Sequence, residues 1–233
     1  MKKLFVYFTI FAALIVFSYS CNIDNSNTNP PNATFAYVQA SPDAGNLDVY
    51  ANGGVIALNF PYTHDTGYYL AQPGIYDLKA AQTGTFNYLV DQNITFEAGK
   101  AYSVFTIDSA SKMKVALVSD SLNAPSTDSP KIRFFNFSPN EGSVDLGISG
   151  VGTPWYTSRT FNDQATTTTY QNFVTIPAGT YNLQALQAGT SNIEASAPST
   201  VLTGGKIYTI YLKGFKGGTG AQELGIGTVV HNE

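Results

Sequence analysis

The stretch SPDAGNLDVY at residues 41–50 decides the fold, because a close variant, SPNEGSVDL, returns at residues 138–146. Each copy follows an aromatic-rich run and leads into alternating apolar and polar residues. Proline fixes φ at a bend, and Asp or Asn can accept a hydrogen bond from the backbone two residues on. We therefore predict a strand, a turn and a second strand at both places. The residues assigned to this structural turn are Ser41, Pro42, Asp43, Asp48, Ser138, Pro139, Asn140 and Asp145.

The repetition extends beyond the opening motif. PGIYDLKA at residues 73–80 resembles PAGTYNLQA at residues 177–185. The copies stand 97 residues apart at the first motif and 105 apart at these glycines, so the second copy carries an insertion of eight residues. A unit of about 100 residues has the size of a domain. We predict two separately folding domains, at 33–121 and 130–233, with a protease-sensitive linker at 122–129 that makes few contacts.

Composition and spacing predict an all-β fold. Only 12% of the residues are charged, and Thr, Ser, Asn, Gln and Gly suit strands and turns better than surface helices. Short candidate strands separated by Gly/Pro turns are typical of a β-sandwich. In the first domain they fall at residues 34–40, 47–51, 55–60, 68–70, 74–81, 88–96, 102–107 and 113–119. In the second domain, strands at 207–212 and 224–230 flank a glycine-rich turn that no helix follows, which argues against a phosphate site.

The N-terminus has the pattern of a secretory signal peptide at residues 1–20. Two lysines precede an apolar run, as in signal peptides. The alternative is an N-terminal transmembrane helix, but the run is too short to span a bilayer as a helix. Cys21 is the sole cysteine, so it has no disulfide partner within the chain. Its position resembles the lipobox of bacterial lipoproteins, and we expect it to carry a lipid anchor. The alternative is an ordinary signal peptide with a free thiol. Residues 21–32 are predicted to be the anchored cysteine and a flexible tether.

The order of the motifs, S-P-D, then D-V-Y, then P-G-I-Y and G-K-A-Y, resembles the exported bacterial domain-of-unknown-function family DUF4397. The resemblance covers nearly all of residues 33–230, and the second copy departs from it at Asn140 and Gly147. It implies tandem antiparallel sandwiches of immunoglobulin-like or transthyretin-like type. It also implies export, often with lipidation, to the bacterial outer membrane or cell surface. The family has no agreed activity, so the resemblance implies no reaction.

Several classes of chemistry find no support in the sequence. The net charge is −4 without a cluster of Lys or Arg, which argues against nucleic-acid binding. His64 and His231 lie in different halves and do not have the spacing of metal ligands. We expect His64 to lie in a solvated loop and His231 in a frayed C-terminal end. Both copies have an aspartate at the same motif position, Asp48 in the first and Asp145 in the second. We predict that these carboxylates accept hydrogen bonds from backbone N–H groups of the S-P-x loop. Calcium binding and carboxylate catalysis are the alternatives. No catalytic residue, metal or cofactor is predicted.

The favoured function is a non-catalytic binding or adhesion module for a glycan or a surface protein. Trp155 is the only tryptophan, and with Tyr156 it forms the candidate ligand site. Both lie in the stretch assigned to the insertion, 149–156, which runs on to Phe161 and Tyr170. The alternative for Trp155 is that it caps the core of its own domain. The alternatives for the whole protein are a structural spacer or envelope-complex subunit and, less favoured, a glycan hydrolase.

Overall fold

The protein, described here by a computed structural model of residues 29–232, consists of β-strands and short 3₁₀ turns. Sixteen strands form four sheets of four strands each, and no α-helix occurs between residues 29 and 232. The predicted all-β class is confirmed. Cys21, the leader and most of the tether lie outside the described residues.

The first sandwich contains all eight strands that the sequence predicts. One sheet has the order β4-β1-β7-β8 and the other β3-β2-β5-β6. Apolar side chains from both sheets, including Leu47, Leu78 and Val104, fill the space between them. The strands are β1 (Ala33–Gln39), β2 (Leu47–Ala51), β3 (Gly54–Phe60), β4 (Asp65–Ala71), β5 (Gly74–Gln82), β6 (Tyr88–Phe96), β7 (Ala101–Ile107) and β8 (Lys114–Asp120).

The second sandwich repeats this topology strand for strand. Its sheets have the orders β12-β9-β15-β16 and β11-β10-β13-β14. In each half the first strand pairs in parallel with the seventh, β1 with β7 and β9 with β15, and the other pairs are antiparallel. The strands are β9 (Lys131–Asn136), β10 (Val144–Ile148), β11 (Tyr156–Arg159), β12 (Val174–Thr175), β13 (Gly179–Gln187), β14 (Ile193–Leu202), β15 (Ile207–Lys213) and β16 (Gly225–Val230).

A third hydrophobic core joins the two sandwiches. It is formed by residues of β1, β7 and β8 on one side and of β9, β15 and β16 on the other. Within β7, Val104 faces the core of the first sandwich, whereas the next residue, Phe105, faces the third core. The two central sheets are therefore covered on both faces, which explains why their inner strands, such as β7 and β15, are buried at nearly every position. The four sheets stack as one body with three apolar layers between them.

The linker is held against the second sandwich, which contradicts the expectation that it makes few contacts. The N–H of Gly205 donates to the carbonyl oxygen of Ser126 at 2.9 Å. Gly204 lies so close to Thr127 that an added Cβ would stand 2.0 Å from its carbonyl oxygen. With the third core, this packing argues against two halves that unfold separately.

The eight-residue insertion lies in two places. Asn59 and Ser158 are structural equivalents, because both have positive φ and both donate their N–H to the repeated Asp. They are 99 residues apart, so only two of the eight extra residues fall in the loop before β11. The other six lie between β11 and β12, within residues 160–173, where two 3₁₀ turns occur at Asp163–Ala165 and Thr168–Gln171. The stretch predicted for the insertion, 149–156 running on to Phe161 and Tyr170, contains the first place and most of the second, but most of the extra residues lie at its far end rather than beside Trp155.

Candidate ligand-binding site

The repeated carboxylates have a structural role. Asp48 accepts hydrogen bonds from the N–H of Asn59 at 2.8 Å and from the N–H of Gly84 at 3.2 Å. The bond from Asn59 contributes most to holding the pKa of Asp48 below its usual value. Asp145 does the same in the second half, accepting from Ser158 at 2.7 Å and Gly189 at 3.0 Å. Each carboxylate thus ties a strand irregularity to a hairpin turn. It accepts backbone N–H groups as predicted, but not those of the S-P-x loop.

The S-P-x loop of the first half is held by other residues. Gln39 accepts from the N–H of Ser41 at 2.9 Å, and the Ser41 hydroxyl donates to the carbonyl oxygen of Asp108 at 2.7 Å. Asp43 accepts from the N–H of Ala110 at 2.7 Å. Pro42 lies in the turn, as predicted, whereas Asp43 ties the loop to the segment after β7 rather than to the backbone two residues on.

The second half repeats this arrangement, with the amide of Asn140 in place of the Asp43 carboxylate. Asn136 accepts from the N–H of Ser138 at 3.0 Å. The side chain of Asn140 accepts from the N–H of Lys216 at 2.8 Å and donates to its carbonyl oxygen at 3.0 Å. Pro139 lies in the turn. The exchange of Asp for Asn therefore keeps the link to the segment after β15.

Replacing Asp145 with Ala is expected to lower the free energy of unfolding by about 1–3 kcal/mol, because the buried carboxylate accepts two part-buried backbone N–H groups, which lose this charged acceptor. Asp48→Ala should fall at the low end of that range, since its carboxylate is more exposed. The depressed pKa of Asp48 gives a stability contribution that is present above the unfolded-state pKa and is lost as pH falls through the folded-state value. Urea unfolding measures these effects. Glu97→Ala, which removes an exposed carboxylate, is the control, and equal stability of all three variants would contradict the structural role.

The two histidines differ in their surroundings. His64 is exposed in the loop before β4, as predicted, with its Nδ1 at 3.1 Å from the carbonyl oxygen of Tyr62. His231 is buried, so the expected frayed end is wrong there. Next to it, Asn232 accepts from the N–H of Ile207 at 2.7 Å and fixes the chain against β15.

His231 belongs to a closed ring of hydrogen bonds between the two halves. Arg133 donates to the Thr209 hydroxyl at 2.7 Å, and that hydroxyl lies 2.6 Å from Nε2 of His231. Nδ1 of His231 lies 2.8 Å from the Tyr68 hydroxyl, which donates to Asp120 at 2.6 Å. Asp120 and Arg133 close the ring with a fully buried ion pair. Because the Tyr68 hydroxyl donates its one hydrogen to Asp120, it accepts from Nδ1 of His231, and neutral His231 then leaves Nε2 to accept the hydrogen of the Thr209 hydroxyl.

Acidification is expected to weaken this ring. Burial lowers the pKa of His231 to about 4 from the usual 6.5. Its stability contribution is therefore complete above pH 6.5 and is lost as pH falls towards 4, a loss that approaches about 3 kcal/mol. Urea unfolding at several pH values, for the wild type and for His231→Gln, measures the difference. Identical pH profiles for the two proteins would contradict the assignment.

A groove lined by aromatic rings opens on one edge of the second sandwich. It lies between edge strand β11 and the Thr168–Gln171 turn with β12, and it encloses about 440 Å³. We call it the aromatic groove. It is lined by Trp155, Tyr156, Thr157, Arg159, Thr169, Tyr170, Asn172 and Val174. The structure thus brings the predicted pair Trp155 and Tyr156 together with Tyr170, whereas Phe161 packs at the margin of the third core.

Trp155 and Tyr156 are fixed by the core beneath them. The ring of Trp155 packs edge-on against Tyr181, with centroids 5.0 Å apart. The Tyr156 hydroxyl donates to the carbonyl oxygen of Ile132 at 2.8 Å, and burial raises its pKa. Both side chains are half-buried, so each contacts the core and also lines the groove. The two alternatives for Trp155 are therefore compatible.

Trp155 has a counterpart in the first half, although the sequence pattern assigns it to the inserted stretch. Tyr156 pairs with Leu146 in the same way that Ala57 pairs with Val49. Trp155 therefore corresponds to Ile56, which packs against the first core. Both halves have this position, but only the second half has an aromatic residue at it.

Tyr170 is held by a buried arginine. Its ring lies 4.0 Å from the guanidinium carbon of Arg159. Arg159 makes two hydrogen bonds to Asp163, at 2.9 and 2.7 Å, and a third to the carbonyl oxygen of Phe134 at 2.8 Å. Sequence reasoning missed this arginine. Because its charge is paired and it is buried, it orients the ring without adding an exposed charge to the groove.

The remaining groove residues keep free hydrogen-bonding groups. Thr157, Thr169 and Asn172 are exposed, and their side chains make no hydrogen bond to any residue in the range 29–232. The groove thus offers aromatic faces, hydroxyls and an amide. Within the same range, no group of three or more acidic, His or Cys side chains is placed to hold a metal ion. Nor does that range contain a helix with the length and hydropathy needed to cross a membrane.

Comparison with known protein families identifies a match over the first half of the chain. The family described as Domain of unknown function (DUF4397) matches residues 33–147, which comprise the first sandwich, the linker and nearly all of β9 and β10. This match supports the family resemblance that the motifs indicate for those residues. No curated protein matches the sequence.

Among the solved structures that resemble this chain, two cover most of it at low identity. One is CBMbc (family CBM26) from Eubacterium rectale Amy13K in complex with maltoheptaose, at 13% identity over 87% of this chain and 97% of that chain, with a TM-score of 0.26. The other concerns alpha-glucan binding by a streptococcal virulence factor, at 10% identity over 84% and 96%, with a TM-score of 0.23. Scores of this size identify neither a shared ligand nor a shared site.

Proposed function

We propose that the protein is a non-catalytic binding module that holds a glycan in the aromatic groove. The observation that carries the proposal is the combination of Trp155, Tyr156 and Tyr170 with unbonded hydroxyl and amide groups in one open groove. The C–H faces of a sugar pack against aromatic rings, and its hydroxyls bond to groups such as those of Thr157 and Asn172.

The rigidity of the groove supports the same proposal. Tyr156 is tied to the backbone of β9, and Tyr170 rests on Arg159, so the rings are already in place before a ligand arrives. Binding then loses little side-chain entropy, which matters for a ligand whose individual contacts are weak. The only guanidinium in the groove, that of Arg159, is paired with Asp163. A neutral sugar that binds there therefore does not have to remove water from an unpaired charge.

Binding of residues 29–233 to an array of cell-surface and plant glycans tests the proposal. The Tyr170→Ala variant should lose at least about tenfold in affinity, because it removes an exposed stacking ring without disturbing the core. The control is Phe86→Ala, which removes the most exposed aromatic ring of the described residues, 93% accessible and in the other sandwich. Equal loss in both variants, or retention of all bound glycans by Tyr170→Ala, would contradict the site.

We also propose that the protein is exported and is anchored by a lipid at the bacterial outer membrane or cell surface. It depends on the lipobox-like position of Cys21, which lies outside the described residues. In the native host, Cys21→Ser should release the protein from the membrane fraction or block its maturation. A Cys21→Ser protein that loses its leader and still sediments with membranes would contradict the anchor.

A structural spacer is the second candidate, and one observation favours it. The third core makes the two sandwiches a single stacked body rather than two modules on a flexible linker. A chain built only as a spacer would bind no glycan on the array, and Tyr170→Ala would leave its function in the envelope intact.

A further inference from the structure

We infer that the ligand is an extended acidic polysaccharide, which runs from the aromatic groove into a second cleft where its acidic group faces Lys131. The inference rests on the proposed glycan-binding function and narrows it to a chemical class. The second cleft encloses about 680 Å³ and lies between β8 of the first sandwich and the inserted segment of the second.

The two clefts are neighbours on either side of the Thr168–Gln171 turn. Thr169 and Asn172 line both of them, so a chain bound in the aromatic groove reaches the second cleft by crossing these two residues. Both side chains are exposed and without hydrogen bonds to residues 29–232, which leaves them free for a ligand at the crossing. A single sugar ring would use only part of this surface, whereas an oligosaccharide can contact both clefts.

The turn between the clefts is fixed in place. The side-chain oxygen of Gln171 accepts from the N–H of Ser119 at 3.0 Å, and its amide nitrogen donates to the carbonyl oxygen of Gln164 at 3.0 Å. Its own carbonyl oxygen accepts from Arg133 at 3.3 Å. The turn is thus bound to the first sandwich, to the inserted segment and to the buried ring, so the path over it exists before binding.

The charge of the second cleft favours an anion. Asp120 lines it, but its carboxylate is neutralised by Arg133. The ammonium of Lys131 donates to the carbonyl oxygen of Asn123 at 2.9 Å and has no carboxylate within 4.0 Å among residues 29–232. One positive charge is therefore left for a ligand, in a chain whose net charge is −4. A uronate carboxylate fits this cleft better than a neutral sugar does.

The side chains that line both clefts belong to a segment that the first sandwich lacks, and they make no hydrogen bond that supports the fold of residues 29–232. The first sandwich has the same eight strands without the six residues added between β11 and β12. Those residues belong to the segment that contains Tyr170, Thr169 and Asn172. Asp163 and Gln171 of this segment stabilise the fold through Arg159 and Arg133, whereas the exposed side chains of Thr169 and Asn172 take no part in those contacts and are available to a ligand.

The test is isothermal titration of residues 29–233 with oligogalacturonates of increasing length and with neutral gluco-oligosaccharides of the same lengths. We expect the affinity for the acidic series to rise by about tenfold or more between the dimer and the hexamer, and to exceed that for the neutral series. Lys131→Gln should lose about fivefold to tenfold for the acidic hexamer and nothing for the neutral one. The matched control is Lys112→Gln, an exposed lysine of the first sandwich.

Failure of this inference is separable from failure of the groove. Length-independent binding, unchanged affinity in Lys131→Gln, or a preference for the neutral series would overturn the acidic, extended ligand. In those cases a loss of binding in Tyr170→Ala would still uphold the aromatic groove. If Lys131→Gln no longer bound the acidic oligosaccharides while Tyr170→Ala still bound them, the second cleft would be a separate site. The proposal that one ligand occupies both clefts would then be wrong.

Discussion

Arg133→Ala is expected to unfold with a free energy about 3–5 kcal/mol below that of the wild type. The guanidinium is fully buried and bonds to Asp120, to Thr209 and to two backbone carbonyls, and it stacks on the ring of Phe173 at 4.3 Å. Removing it leaves a buried carboxylate without its counter-charge and breaks the ring that includes His231. Urea unfolding followed by circular dichroism measures the loss.

A surface ion pair provides the control for this effect. Lys100 and Glu97 approach to 2.7 Å, but both side chains are more than half exposed. Lys100→Ala should therefore cost less than about 1 kcal/mol. If Arg133→Ala were no more costly than Lys100→Ala, the buried ring would contribute no stability to the contact between the sandwiches.

Phe105→Ala is expected to have an effect of the same size, about 3–5 kcal/mol, through the third core. The ring is fully buried, 4.9 Å from Phe137 and 6.1 Å from Tyr211 between ring centroids, and both neighbours belong to the second sandwich. A cavity there weakens the contact between the halves as well as the first sandwich. The solvent-exposed Phe86 gives the control, since Phe86→Ala should change stability by less than about 0.5 kcal/mol.

The third core also predicts how the whole chain unfolds. Calorimetry of residues 29–233 should show one transition, and neither 33–121 nor 130–233 should be stable alone, because each would expose an apolar sheet face. The sequence-based expectation of two independent domains would return if calorimetry resolved two transitions and Phe105→Ala shifted only one of them.

The strands of the first half and two strands of the second could be predicted from the sequence, whereas the stacking of the sheets could not. Alternation and Gly/Pro turns mark strands such as β5, because a half-buried strand has a period of two. In β1 and β9 both faces are apolar, and such runs indicate burial without indicating the partner. Arg133 within the apolar run of β9 was a signal of a buried polar contact. Its partners could not be identified, since the ring also joins residues as distant as Tyr68 and His231.

The candidate site was predicted in part. The single tryptophan and the adjacent Tyr156 stood out by residue type, and Tyr170 lies in the stretch that was named with them. Arg159 was missed because its role depends on a ring stacked above it and a carboxylate below, neither of which follows from spacing. The second cleft was missed because it forms between strands of different sandwiches, and the stacking was not foreseen.

The most direct measurement of the central claim is the fluorescence of Trp155 during glycan titration. The chain contains one tryptophan, so the emission reports on the aromatic groove alone. A glycan selected by the array should change the emission saturably, protect Trp155 from iodide, and give the same dissociation constant as calorimetry. Tyr170→Ala should weaken the optical and the calorimetric signal together. Tight calorimetric binding with unchanged emission and unchanged iodide access would place the ligand elsewhere and contradict the groove.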